Sequence, residues 1–119
     1  MDIQANDFLL ALLRADFKSF ATKVFNEVSA GAQYLDNWHV DVVCNEIEQM
    51  ISGQNNRLIV NIPPRNMKSI ICSVALPAYL LGLNPQAQII CVSYADELTK
   101  KFANDCRTVM ETTWYGELF

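Results

Sequence analysis

Lys68 and Ser69 stand side by side where a short loop, opened by Pro63-Pro64, meets a stretch of helical periodicity from Met67 to Leu81. Before the loop lies the apolar run RLIVNI at 57–62, which has strand length and β-branched content. A strand that feeds a tight loop and then a helix can hold phosphate. The exposed amides of the first helical turn point at anionic oxygens, and the positive end of the helix dipole favours them. In such a loop Lys68 reaches the β- and γ-phosphates and the Ser69 hydroxyl ligates Mg²⁺. Arg65 supplies a planar cation that clamps or senses the terminal phosphate. The candidate cradle is therefore Pro64, Arg65, Asn66, Met67, Lys68 and Ser69, with Lys68 and Arg65 as its catalytic cations.

The loop departs from the pattern G-x-x-x-x-G-K-[ST]. Met67 precedes the lysine, and Ile62 stands where the first glycine belongs. Glycine serves there because the loop needs positive φ or close backbone approach to phosphate. Asn66 tolerates left-handed geometry better than most residues and takes over part of that role. On spacing alone, a Lys-Ser pair at a helix start is also structurally ordinary.

The elements that position these residues follow from periodicity. Apolar residues recur at helical spacing from Asp7 to Asn26, with Asp16 placed to cap a second helix. A loop around Gly31 leads to Trp38 and His39, and a third helix runs to about Ser52 on a stripe of Val40, Val43, Cys44, Ile47 and Met50 or Ile51. The GQNN segment at 53–56 stops it. After the loop helix, Pro77 predicts a kink and Gly82 a C-terminal stop. A second apolar run, QIICVS at 88–93, reads as a buried strand, and residues 96–111 read as an amphipathic helix. Two apolar runs joined through a helix predict parallel strands with a right-handed crossover, so the expected fold class is α/β. The expected organisation is a helical N-terminal arm over 1–30 and a partial P-loop domain over 31–119.

From residue 34 to 119 the chain resembles the N-terminal ATPase region of phage and prophage terminase large subunits. The likeness rests on unusual neighbours in order: the Trp-His pair, the Pro-Pro-Arg loop closing on Lys-Ser, Pro-Ala-aromatic at 77–79, Leu-Gly, Asn-Pro, and Ser-Tyr before an acidic helix start. Many family members carry His-Gly where this chain has Asn66-Met67. The resemblance implies ATP and Mg²⁺ as cofactors, with Arg65, Lys68 and Ser69 as phosphate and metal residues. It places Trp38 and His39 where such motors hold the adenine or its flanking loop, and Ser93-Tyr94 where nucleotide state is coupled to DNA. It further implies double-stranded DNA, a phage portal and a small terminase subunit as partners, a homo-oligomer as a possible assembly, and the cytoplasm of a bacterial host as the location. The plain alternatives are a core aromatic at Trp38, a locally bonded helix-start residue at His39 and a packed tyrosine at Tyr94.

The Mg²⁺-holding Asp-Glu strand end (Walker B) and the acidic cluster of a nuclease domain do not occur in the sequence. Asp96-Glu97 follows its apolar run at a distance and reads as a helix N-terminus, where acidic side chains suit the dipole. The chain is thus expected to be the front piece of such an ATPase, incomplete for hydrolysis by itself. Two rivals stand beside it: a fragment of another P-loop helicase-type ATPase, and a truncated prophage remnant with only an interaction or structural role.

Composition bounds these readings. Half-hydrophobic content with 18% charged residues describes a folded chain, and a net charge of −4 argues against a surface devoted wholly to nucleic acid. Lys100, Lys101 and Arg107 interleave with Glu97, Asp105 and Glu111, which reads as a solvated helix face. The four cysteines show no CxxC spacing, so neither a zinc site nor a disulfide framework is expected. No apolar run approaches the roughly 20 residues that span a bilayer. Trp114, Tyr115 and Phe119 would form an adhesive patch if exposed.

Overall fold

The computed structural model describes residues 2–29, 38–54, 56–62, 68–93 and 95–119. Helix α1 spans Asp2–Ala15 and α2 spans Phe17–Val28. Asp16 breaks them apart with an extended backbone and caps α2, its Oδ2 accepting from the Ser19 amide at 3.3 Å and the Ser19 hydroxyl at 2.6 Å. This is the cap expected from the sequence. A second acid helps from a distance: the Phe17 N–H donates to Glu48 Oε1 at 2.8 Å. Two of the four orphan amides at the start of α2 are thereby satisfied, and both acceptors suit the helix dipole.

Helix α3, Trp38–Ile51, buries Val40, Val43, Cys44 and Ile47 against α2, as its stripe predicted. Lys18 Nζ and Asp41 Oδ1, 2.5 Å apart, tie the two helices at the surface. After α3 the chain turns through Gly53, whose φ of +89° is left-handed and suits a residue without a β-carbon.

Residues 68–83 form a continuous helical rod. It contains a π-helical turn at Ile70–Ala75 and then helix α4, Leu76–Leu83. Pro77 sits at the start of α4, where its missing N–H and ring are accommodated by the wider turn before it. The rod ends at Leu83 with Asn84 as its cap, two residues beyond the Leu81 end that Gly82 implied. Gly82 instead lies against the ring of Phe119. Helix α5 spans Asp96–Met110 and α6 spans Thr113–Leu118, the latter capped by Thr112, whose Oγ1 accepts from the Tyr115 amide at 3.3 Å.

The core runs through α2, the π turn, α4 and α6. Phe17, Phe20, Val24, Ile71, Val74 and Val109 are completely buried. Each such side chain contributes roughly 1.5–3 kcal/mol by leaving water. Around Phe20 gather Tyr79 at 5.1 Å, Trp114 at 5.8 Å, Phe119 at 6.1 Å and Tyr115 at 6.4 Å between ring centroids, at tilted or edge-on angles that aromatic quadrupoles favour. The phenols are satisfied inside this cluster: Tyr79 donates to the Arg14 carbonyl at 2.5 Å and Tyr115 to the Ala78 carbonyl at 2.7 Å. Trp114 donates from Nε1 to Glu27 Oε1 at 2.9 Å, and Lys23 Nζ lies 5.5 Å above its ring. The expected C-terminal adhesive patch is therefore largely core.

The expected α/β fold with parallel strands is overturned. Residues 57–62 and 88–93 have no regular secondary structure, no backbone hydrogen bond joins them, and no strand occurs among the described residues. Both runs were read as buried. Ile59, Ile90 and Val92 are instead 84%, 89% and 88% exposed. The physical reason is that strand pairing is a property of a sheet. Parallel pairs are the weaker kind per residue, two strands are marginal alone, and parallel sheets persist where both faces are covered. Here the helices pack well without a sheet, and the two runs lie along their flanks.

Candidate functional site

Lys68 and Ser69 are the first described residues of the helical rod. Lys68 is half-buried and Ser69 exposed, with Ser69 already helical at φ −67° and ψ −38° and making no capping hydrogen bond through its side chain. An ammonium and a hydroxyl on neighbouring residues offer an anion one charge and one hydrogen bond. The rod carries this turn because the apolar positions Ile71, Val74, Ala75, Ala78 and Tyr79 seat one face against α2, leaving Lys68, Ser69 and Ser73 on its borders.

Two cavities meet at this turn. The larger, about 1230 Å³, lies between the rod, residues 88–93 and α5, and takes in Lys68, Ser69, Ser73, Thr99 and Arg107 among its polar lining. Leu81, Leu98 and Phe102 give it an apolar wall. The smaller, about 270 Å³, is bounded by Leu58 and Val60 on one side and by Lys68, Ser69, Cys72 and Ser73 on the other. Burial raises the Cys72 thiol above its ordinary range, and the nearby Lys68 ammonium pulls it partly back.

The other sequence-derived candidates are placed as follows. Pro64, Arg65, Asn66 and Met67 lie outside the described residues, as does Tyr94. Trp38 is the first residue of α3 and 73% exposed, so it is no core aromatic; His39 beside it is half-buried. Neither is among the described residues that line the two cavities at Lys68 and Ser69. Asp96 and Glu97 do form the acidic first turn of α5. Lys101 pairs with Asp105 at 3.0 Å across one turn, the solvated arrangement expected for that face.

Arg107 was read as part of the same solvated face, and its place in the cavity lining was missed. A signal existed: Thr99, Ala103, Cys106, Arg107 and Met110 recur at three- and four-residue steps, so they share one side of α5 with Phe102. Among the described residues no group of three or more His, Cys, Asp or Glu side chains is arranged to hold a metal ion. A Mg²⁺ ion at this turn would take one ligand from Ser69 and the rest from phosphate oxygens and water, the usual manner of that ion. No described helix is long and apolar enough to cross a membrane.

Comparison of the chain with protein-family models, with curated proteins and with solved structures returns no match.

Proposed function

We propose that this chain is the N-terminal piece of the ATPase of a terminase large subunit and that it holds the phosphates of Mg·ATP at Lys68 and Ser69. The observation that carries this reading is the placement of both residues side by side on the helical rod, at the junction of two cavities. The order of dipeptides from Trp38 to Asp96 supports the family. Lys68 would neutralise the β- and γ-phosphates, Ser69 would offer its exposed hydroxyl to the metal, and Arg65 would meet the terminal phosphate. When bound, Mg²⁺ supplies charge neutralisation between phosphate oxygens. Double-stranded DNA, portal and small terminase subunit belong to this proposal as partners of the whole motor.

The deciding experiment is calorimetric titration of the chain with Mg·ATP, beside Lys68→Ala and Met67→Gly. Binding that disappears in Lys68→Ala and tightens in Met67→Gly is the expected result. Equal binding by wild type and Lys68→Ala would remove Lys68 from the site. Phosphate release is expected to stay at background with or without double-stranded DNA, because the sequence has no Asp-Glu strand end to hold the metal and orient an attacking water. A second reading, an interaction module without nucleotide, is favoured by Met67 in the loop and by the exposed Ile59, Ile90 and Val92. It predicts no binding by any of the three proteins.

A further inference from the structure

The wall that α5 gives the large cavity carries sulfur. Cys106 is half-buried there, and its thiol faces the thioether of Met110 one turn on, with Sγ and Sδ 4.0 Å apart. Cys91, exposed on residues 88–93, lines the same cavity. The two thiols act on one another: burial raises the Cys106 thiol above its ordinary range, and the neighbouring Cys91 adds to the rise. Two thiolates side by side repel, and a cation held between them turns that repulsion into attraction. Cys91 and Met110 are both exposed, so an ion has a way in from solvent.

The donor set selects the ion. Thiolates and thioethers are soft ligands, which favour Cu(I) over harder cations. Structural zinc takes four ligands from Cys, His and carboxylate, and among the described residues no three such side chains come together. His39, the one histidine of the sequence, stands on α3 and is not among the described residues lining this cavity. A metal–sulfur bond is ~2.3 Å long, so two sulfurs bound to one ion at a trigonal angle stand about 4 Å apart. Cys106 and Met110 already have that spacing.

We propose that Cys91, Cys106 and Met110 hold one Cu(I) ion in a three-sulfur site on the wall of the large cavity. Both thiols release their protons to solvent as the ion binds, which leaves the centre with one net negative charge. Lys68 and Arg107 outnumber Glu111 among the charged residues of the lining and offset that charge. No backbone hydrogen bond ties residues 88–93 to other described residues. Coordination through Cys91 therefore fastens this segment to α5. The site does not depend on nucleotide binding at Lys68.

The test uses the full chain, reduced and free of oxygen, titrated with Cu(I) against a chromophoric Cu(I) chelator. Each 13.5 kDa chain is expected to retain one ion. X-ray absorption should show a first shell of sulfur alone at ~2.3 Å. Cys91→Ser and Cys106→Ala are each expected to weaken binding about a hundredfold or more, and Met110→Leu about tenfold, because a neutral thioether gives less than a thiolate. Cys72→Ser should bind as wild type. Cys91 is exposed, so its variant should match wild type in circular dichroism and melting and keeps the test open if Cys106→Ala folds poorly. Affinity should rise with pH, since the ion displaces thiol protons. Loading should slow proteolytic cleavage within 88–93 in wild type and leave it unchanged in Cys91→Ser. No ion retained against the chelator, retention indifferent to Cys91→Ser or to Met110→Leu, one ion shared between two chains, or nitrogen or oxygen in the first shell would each overturn the proposal.

Discussion

The ring of Phe119 is pressed against the α-carbon of Gly82, so closely that a β-carbon at position 82 would collide with three of its ring atoms. Gly82 stands inside α4, where alanine would ordinarily stabilise by about 1 kcal/mol. Overpacking typically costs about 1–3 kcal/mol, and Phe119 has little room to retreat, with Tyr115 at 5.0 Å and Phe20 at 6.1 Å. Gly82→Ala is therefore expected to destabilise. In a Phe119→Ala background the same substitution should become neutral or stabilising. Urea unfolding of the four proteins closes the cycle, and additive effects would show that the ring does not constrain the glycine.

Tyr79 and Tyr115 anchor α1 and α6 to the core through single hydroxyls. Tyr79→Phe leaves the Arg14 carbonyl without its 2.5 Å donor, and Tyr115→Phe does the same to Ala78 at 2.7 Å. Each should cost about 0.5–1.5 kcal/mol, against about 3–5 kcal/mol for truncation to alanine. Denaturant midpoints that do not move in either Phe variant would contradict these bonds.

Stability should fall in alkali. Burial pushes the Cys44 thiol from 9.0 up to about 12, with Glu48 adding to the effect, and burial also raises Cys72, Cys106, Tyr79 and Tyr115. A raised pKa means that the folded state holds its proton more tightly than the unfolded one. The contribution of Cys44 is fully present below pH 9.0 and is lost as pH climbs toward about 12. Each such group steepens the decline by about 1.4 kcal/mol per pH unit within its window. Thermal melts from pH 7 upward should show a plateau followed by a fall, and Cys44→Ala should flatten the upper part of that fall.

The helices were legible because their signal is local. Val40, Val43, Cys44 and Ile47 repeat at the helical period, and Asp16 followed by Ser19 announces a cap. The two apolar runs were misread because an apolar run specifies neither partner nor burial; QIICVS is apolar whether it is sandwiched or, as here, exposed at Gln88, Ile90, Cys91 and Val92. Helix α6 was missed for another reason. Six residues containing Gly116 are too few to show periodicity, and the burial of Tyr115 and Leu118 depends on Phe20 and Ala78 far back in the chain. At the site, the helical setting of Lys68 and Ser69 could be read from the apolar period that follows them. Arg107 was the harder case, because its neighbours in sequence advertise a salt-bridged surface and only its spacing from Thr99, Ala103 and Met110 points to the cavity side.

The two tryptophans give the chain a built-in pair of optical reporters. Trp38 faces water at the head of α3, so its emission should lie to the red and yield readily to iodide. Trp114 is wedged by Phe20, hydrogen-bonded to Glu27 and shadowed by Lys23, all of α2. Its light therefore reports whether α6 is seated on α2, and a Trp38→Phe variant would isolate that reading and follow the closing of the core in real time.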